Sequence, residues 1–194
     1  MTLTAQTATN DAHPTDPLTD TWRPSAAVDG RELRRTIRSY PSGITVITTS
    51  MGSHDVGMTV SSFTEVSQNP PLVLVCLTRS VSSLPAFRTG APMAINILAH
   101  DQEDVAMSFA GQRDEDRFSC VECVQSPEGT PVIQGASAWL STHIARIIDG
   151  GDHVILLAHV NHFYDGQKSP LLYHRGRIHA EVGASLTKKD EGAG

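Results

Sequence analysis

The chain has no excess of positive charge, no long apolar run and few cysteines, and each shortage closes off a class of function. Of its 194 residues, 15 are Lys or Arg and 21 are Asp or Glu, for a formal net charge of −6. A general nucleic-acid binder carries a basic footprint, and this chain has none, so no nucleic-acid partner is expected. The one basic cluster is Arg31, Arg34, Arg35 and Arg38, and Leu33, Ile37 and Tyr40 interleave with it at helical spacing. That pattern reads as the wet face of an amphipathic helix. No apolar stretch reaches the about 20 residues that a membrane-spanning helix needs, so no membrane association is expected. The first residues lack a basic start followed by an apolar core, so secretion is not expected either. Cysteine occurs three times, at Cys76, Cys120 and Cys123. An odd, small count reads as a reducing compartment, and the cytoplasm is the expected location.

Several sequence signatures are missing as well. There is no Gly-x-Gly-x-x-Gly and no Gly-x-x-x-x-Gly-Lys-Ser/Thr, so neither a Rossmann domain nor a P-loop is encoded. Any dinucleotide must be held without the usual helix N-terminus. The nine histidines include no His-Glu-x-x-His. His159 and His162 lie three apart in a strand pattern, which is expected to turn them to opposite faces. Cys120-Val121-Glu122-Cys123 lacks a second ligand pair and a thioredoxin-like context, so it is read as two incidental cysteines and no metal site is expected.

What is present is enough apolar residue for a core. Hydrophobic residues make up 39% of the chain and charged residues 19%, which suits one folded domain of ordinary size. Residues 1–28 are rich in Thr, Ala, Asp and Pro without apolar period and read as a disordered or loosely docked arm. Residues 184–194 read as a flexible tail. The body, residues 29–183, begins with a helix over Gly30 to Tyr40, ended by Pro41 and Gly43. Strands are expected over Ile44 to Thr49, Met58 to Val66 and Leu72 to Thr78, with a turn over Ser50 to Val56. A short helix is expected over Ser82 to Thr89 and a strand over Ala91 to Leu98. Asp101 caps a helix to Ala110, and Gly111 to Arg117 forms a charged loop. Three more strands follow, over Ser137 to Ile148, His153 to Phe163 and Leu171 to Val182. Many short strands with few helices predict a mainly β fold, a closed or nearly closed barrel.

Three segments carry chemistry. Gly57-Met58-Thr59-Val60-Ser61-Ser62-Phe63 places small hydroxyl residues inside a β-patterned stretch that leads through Pro70-Pro71 into an apolar strand. Thr59, Ser61 and Ser62 offer side-chain donors, and the backbone of Met58 to Ser61 offers a wall for a flat polar ligand. Ser80, Ser82 and Ser83 follow the apolar strand and suit a phosphate; an ordinary strand and helix cap would carry the same residues. Gly150-Gly151-Asp152-His153 forces a tight turn that opens a strand with histidine. Asp152 is placed to fix its tautomer, and an exposed turn histidine fits the same spacing. Pro170-Leu171-Leu172-Tyr173-His174-Arg175-Gly176-Arg177 suits either a clasp on a dinucleotide or an ordinary hairpin.

Taken in order, these segments resemble the flavin reductase family, the NAD(P)H-oxidising partners of two-component flavin monooxygenases. Tyr40-Pro41-Ser42-Gly43-Ile44-Thr45-Val46-Ile47-Thr48-Thr49 is similar to its entry motif, and Gly57 to Cys76 to its flavin strand. Ala94-Ile95-Asn96-Ile97-Leu98-Ala99, Gln102 and Ser108-Phe109-Ala110 resemble its central strand and helix. Asp116-Arg117-Phe118, Gly151-Asp152-His153 and Pro170-Leu171-Leu172-Tyr173 complete the order, and the match covers about Leu33 to Glu181.

The resemblance implies a split β-barrel, Greek-key in connection, assembled as a homodimer with flavin near the subunit interface. It implies reduction of exchangeable FAD or FMN by NADH, with NADPH possible, and release of reduced flavin to a separate flavin-dependent monooxygenase. The flavin candidates it marks are Met58, Thr59, Val60, Ser61, Ser62, Cys76, Leu77, Thr78, Ser82, Ser83, Ala99 and Gln102. The nicotinamide candidates are His153, Tyr173, Arg175 and Gly176, with His153 the candidate catalytic residue. No covalent nucleophile is needed, so positioning and electrostatics are the main tasks. Two competing classes share the barrel: an oxidase with permanently bound flavin, like the pyridoxamine-phosphate oxidases, and a non-enzymatic flavin- or haem-binding module.

Overall fold

The computed structural model describes residues 28–111 and 117–180. Residues 1–27 of the expected arm, residues 112–116 of the expected charged loop with Asp116 among them, residues 181–182 of the expected last strand and the expected tail lie outside the described residues. The chain divides at Ile37 into two units. In the first, helix α1 covers Gly30–Ile37 and buries none of its residues. Its apolar members Leu33 and Ile37 are exposed. The helix ends three residues short of the expected Tyr40.

The second unit, from Arg38, is built on one seven-stranded antiparallel sheet. Its strands are β2 (Thr45–Met51), β3 (His54–Val60), β4 (Thr64–Gln68), β5 (Pro71–Thr78), β6 (Pro92–Ile97), β9 (Ala138–Gly150) and β10 (His153–Asp165). They lie in the order β3-β2-β6-β9-β10-β5-β4. The sheet is not closed: β3 and β4 are its two edges, and the chain crosses from one to the other through Ser61-Ser62-Phe63. That is a split barrel. Two small sheets flank it. One joins β1 (Ser42–Gly43), β11 (Leu172–His174) and β12 (Arg177–His179), and the other joins β7 (Cys123–Gln125) and β8 (Pro131–Ile133).

Side-chain alternation explains the core. Val73, Val75 and Leu77 of β5, with Val154, Leu156 and Ala158 of β10, turn inward and join Ile47, Met93 and Ile95. A second cluster, Ile44, Val46, Leu98, Ala106, Phe109 and Leu171, lies under helix α2 (Glu103–Ala110). The threonines that made β2 legible as a strand are buried and do not go unpaired. Thr45 donates to Val60 O at 3.0 Å and Thr49 to Pro92 O at 2.7 Å. Buried Asn96 donates to Val46 O at 2.9 Å, and its Oδ1 accepts from Ile133 N at 2.9 Å, which ties β8 onto the barrel. Buried polar groups hold their place this way at low cost.

Five expected elements are corrected. The turn over Ser50 to Val56 shrinks to Gly52-Ser53, because β2 runs to Met51 and β3 starts at His54; Gly52 takes the positive φ of 66° that the tight turn needs. The strand over Met58 to Val66 breaks at Ser61–Phe63, where the chain changes sheet edge. The helix over Ser82 to Thr89 is a single 3₁₀ turn, Leu84–Ala86, with Ser83 rather than Ser82 at its N-cap and no side-chain cap bond. Helix α2 is capped at Gln102, not Asp101. The last strand is a hairpin: Arg175 and Gly176, at φ 50° and 83°, turn β11 back into β12.

Candidate functional site

The glycine at the head of the hydroxyl strand is there for space. A Cβ on Gly57 would stand 2.7 Å from the Phe109 ring and 3.2 Å from Phe118. Phe109 and Phe118 pack edge to face with centroids 5.0 Å apart. Arg117 then reaches over them: its Nη1 donates to Gly57 O at 3.0 Å and to Phe109 O at 3.2 Å, and its Nη2 donates to Gly111 O. A cation on the last carbonyls of α2 is favourably placed. These contacts fix β3 against α2.

β3 is an edge strand, so the backbone along its far side carries no ladder partner among the described residues. Beside it opens a cavity of about 530 Å³, lined by Gly57, Val56, His54, Ser82, Ser83 and Phe118 among others. Ser82 and Ser83, predicted for the phosphate, are therefore brought to the strand predicted for the flavin ring. The cavity is within the range of small-molecule and cofactor sites.

The predicted hydroxyl donors divide by use. Ser62 Oγ accepts from Cys76 N at 2.9 Å and donates to Cys76 O at 3.0 Å. It stitches the crossing segment to β5 just past the last β4–β5 pair, Thr64 with Leu74. Thr59 Oγ1 donates to Ala106 O at 2.6 Å, anchoring β3 to α2. Gln102 uses both ends of its amide: Oε1 accepts from Ala99 N at 3.0 Å and Nε2 donates to Gln134 O at 2.9 Å. Ser62, Thr59 and Gln102 thus spend their side chains on bonds to other elements, and none of them, nor Ala99, is among the residues that line the cavity. Ser61 is exposed, and Met58 and Val60 pack toward the barrel interior. The outer edge of β3 beside Gly57, whose carbonyl Arg117 takes, and the Ser82–Ser83 pair are the parts of the predicted flavin site that border the cavity.

β5 carries the remaining flavin candidates. Leu77 faces the core, while Cys76 and Thr78 alternate to the outer face. There Thr78 pairs with His153, and Cys76 with Ile155, across the β5–β10 ladder. Thr78 Oγ1 lies 3.2 Å from Ser80 Oγ. His153 Nδ1 is 2.7 Å from Asp152 Oδ1, as the Asp-His pair predicted, and its ring is half exposed. The first nicotinamide candidate therefore stands beside Thr78, the last flavin candidate of β5.

Tyr173, Arg175 and Gly176 sit elsewhere, on the small β1-β11-β12 sheet, where Tyr173 pairs with Ser42 and Arg175 N donates to Arg38 O at 2.9 Å. Arg175 and Gly176 serve the hairpin turn itself.

Sequence reasoning missed a clasp between two loops. Arg79 donates from Nε to Gly151 O at 2.9 Å, from Nη2 to Asp149 Oδ1 at 2.6 Å and from its backbone N to Asp152 O at 3.0 Å. The Arg79 hydrogen bond first, then the Gly151 N–H, hold the Asp149 carboxyl below its ordinary range. The signal was one cation directly after a predicted strand and one carboxylate directly before Gly150-Gly151.

His159 and His162 do not face apart. A bulge between Val160 and His162 shifts the β9–β10 register. His159 Nδ1 lies 3.0 Å from Asn161 Oδ1, Asn161 donates to Glu128 Oε1 at 3.0 Å, and His162 Nε2 is 3.6 Å from the same carboxylate. His143 completes the group, 3.2 Å from Glu128 Oε2. The cluster ties the β7–β8 turn to the long hairpin. Among the described residues, no group of three or more His, Cys, Asp or Glu is arranged to hold a metal ion, and no helix is long and apolar enough to cross a membrane.

The chain is similar to proteins of known name. The reductase subunit Stc3 of stachydrine N-demethylase from Rhizobium meliloti (strain 1021) is 35% identical over 167 residues, 86% of this chain and 72% of that protein. HsaB, the reductase subunit of a flavin-dependent monooxygenase from Rhodococcus jostii (strain RHA1), is 33% identical over 78% of this chain and 77% of its own. Among solved structures, the NADH:FAD oxidoreductase SgcE6 of Streptomyces globisporus C-1027, in complex with NAD and FAD fragments, superposes with a TM-score of 0.75 at 34% identity, over 83% of this chain and 99% of that one. With residues 37–181 matching the flavin reductase like domain, and with the split barrel and its edge-strand cavity in place, this chain belongs to the flavin reductase family.

Proposed function

We propose that this chain oxidises NADH, reduces exchangeable flavin and supplies it to a separate flavin-dependent monooxygenase. One observation carries the reading beyond family membership: His153 stands opposite Thr78, so a nicotinamide candidate abuts the last flavin candidate of β5. When both ligands are bound, the nicotinamide supplies a hydride and the flavin accepts it. The chain's own residues do the rest. The outer edge of β3 and Ser61 orient the flat ring, and Ser82 and Ser83 hold phosphate. His153, steadied by Asp152, orients the nicotinamide. Holding two reactants at near-attack distance supplies much of the rate in such a transfer.

FAD is the flavin the likeness to solved structures favours, since the similar SgcE6 is an NADH:FAD oxidoreductase. A homodimer is supported by the outer face of β5 and β10. Leu72, Leu74 and Cys76 alternate outward there beside Ile155 and Leu157, and Ile148 of β9 pairs with Ile155. Apolar residues on both faces of a strand call for a second cover.

The test is a steady-state matrix of NADH and NADPH against FAD, FMN and riboflavin, with gel filtration of the flavin-loaded protein. NADH consumption only in the presence of added flavin, with flavin lost on the column, supports the reading. No consumption with any flavin overturns it, and flavin that stays bound through the column replaces it with a permanent flavoprotein.

A further inference from the structure

The guanidinium of Arg79 joins the two halves of the proposed site. It follows Thr78, the last flavin candidate of β5, and it embraces the turn that delivers His153. Its two contacts land on that turn, on the Asp149 carboxylate at 2.6 Å and the Gly151 carbonyl at 2.9 Å, and the backbone N–H of the same residue donates to the Asp152 carbonyl at 3.0 Å. Asp149 closes the loop on itself by accepting from Gly151 N at 3.1 Å. The turn needs such a hold. Gly151 has φ 77°, and two adjacent glycines leave the unfastened backbone more conformations than any other pair of residues. The carboxylate that holds His153 at 2.7 Å belongs to Asp152, the residue whose carbonyl Arg79 fixes.

We propose that Arg79, with Asp149, is a positioning residue for hydride transfer: the Arg79–Asp149 clasp fixes the Gly150-Gly151 turn so that Asp152 presents His153 to the nicotinamide. The inference rests on the nicotinamide role given to His153 above. The fork geometry of arginine is required, since Nε and Nη2 engage two different acceptors and a lysine ammonium reaches one. The clasp lies on the surface, with side chains 47% and 80% exposed. An exposed ion pair adds little to global stability, so its loss is expected to appear in the reaction and not in the fold. A displacement of about 1 Å at a reacting group is enough to slow a transfer by orders of magnitude.

The experiment uses the full chain with FAD and NADH, and compares Arg79→Met, Arg79→Lys, Asp149→Asn, the Arg79→Met/Asp149→Asn double variant and His153→Ala. Three quantities are read: the FAD Kd by fluorescence, the hydride-transfer rate by rapid mixing with NADH and its C4-deuterated form, and the melting temperature. Arg79→Met and Asp149→Asn are each expected to slow hydride transfer or raise the KM for NADH about ten-fold. The FAD Kd is expected to stay within about two-fold and the melting temperature within about 3 °C. The double variant is expected to be no worse than the worse single one, because both remove one clasp. Arg79→Lys is expected to fall between wild type and Arg79→Met. Should Arg79→Met fold poorly, Asp149→Asn still tests the clasp with no change of size. Damage from Arg79→Met but not from Asp149→Asn overturns the proposal and makes Arg79 a direct nucleotide contact. An FAD Kd that weakens in step with the rate overturns it in favour of a structural role. Wild-type kinetics in both single variants with an impaired His153→Ala overturns the clasp alone. An unimpaired His153→Ala overturns the role of His153 and the clasp with it.

Discussion

His153 lies directly across the β5–β10 ladder from Thr78, and its Nδ1 is held at 2.7 Å by the Asp152 carboxylate. With Nδ1 donating to that carboxylate, Nε2 is the ring atom left to meet a ligand. Both residues lie on the outer face of the sheet, because their inward neighbours Leu77 and Val154 fill the core. The ladder thus brings together two residues 75 positions apart in sequence and turns both away from the core.

His153→Ala is expected to impair the nicotinamide half of the reaction more than flavin binding. Losing one positioning contact costs on the order of 1–3 kcal/mol of transition-state stabilisation, about ten- to a hundred-fold in kcat/KM for NADH. Flavin affinity is expected to change little, since the proposed flavin wall is β3 and the segment to Ser62. Flavin titration by fluorescence beside NADH kinetics separates the two. Unchanged kinetics would return His153 to an exposed turn histidine.

Much of this was legible in the sequence, and the misses share a cause. β2, β5 and β10 were readable because β-branched and apolar residues repeat without interruption, and the Asp152–His153 contact because the two are neighbours. The break at Ser61–Phe63 was not readable, because a bond from Ser62 to Cys76 ends the strand and local pattern says nothing about a partner 14 residues away. The same holds for Thr59, Gln102 and Arg79, whose partners come from other elements. His159 and His162 were misjudged because strict alternation assumes no bulge, and a bulge is set by the partner strand as much as by the residues in it. The Arg175-Gly176 turn was the opposite case: Gly176 was a local signal for a tight turn, and the hairpin, one of the two readings of Pro170 to Arg177, is the one the chain forms, although the expected strand over Leu171 to Val182 runs through it.

Ser62→Ala is expected to weaken the fold. The mutation removes a hydroxyl that serves both backbone groups of Cys76, and leaves an N–H and a carbonyl short of partners at the sheet split. Unsatisfied groups of this kind cost about 1–3 kcal/mol. Ser61→Ala, at an exposed hydroxyl, is expected to leave the melting temperature in place and weaken flavin binding instead. Denaturant melts and flavin titrations on the pair check the division. The opposite assignment, with Ser62 moving only the flavin Kd, would contradict it.

Gly57→Ala adds a methyl 2.7 Å from the Phe109 ring. Both rings of the Phe109–Phe118 pair sit in the way, and Phe109, the nearer one, is 1% exposed and does not swing out freely. Overpacking of this kind costs about 1–3 kcal/mol. Moving Phe118 also disturbs the cavity wall, so weaker FAD binding is expected to accompany the lower melting temperature. A stable Gly57→Ala with intact FAD affinity would show that the close approach is not required.

The cysteines are expected to separate by reactivity. Burial first, and the neighbouring Asp55 carboxylate second, push the Cys123 thiol up from 9.0 to about 11. Two units mean about a hundred-fold less thiolate at any lower pH, and the thiolate is the nucleophile. Cys76 is also pushed up by burial, while Cys120 is exposed. Iodoacetamide at pH 8 is therefore expected to label Cys120 first and Cys123 last, read by mass spectrometry of the folded chain. The same shift bears on stability. A thiol whose pKa is higher in the folded chain binds its proton more tightly there, so its contribution is full below 9.0 and is lost as pH rises from 9.0 toward about 11. Asp55→Asn removes the second cause and leaves the first, so it is expected to quicken Cys123 labelling while keeping it slower than Cys120. Labelling of Cys123 at the rate of Cys120 in the native chain would mean that β7 does not shield its thiol.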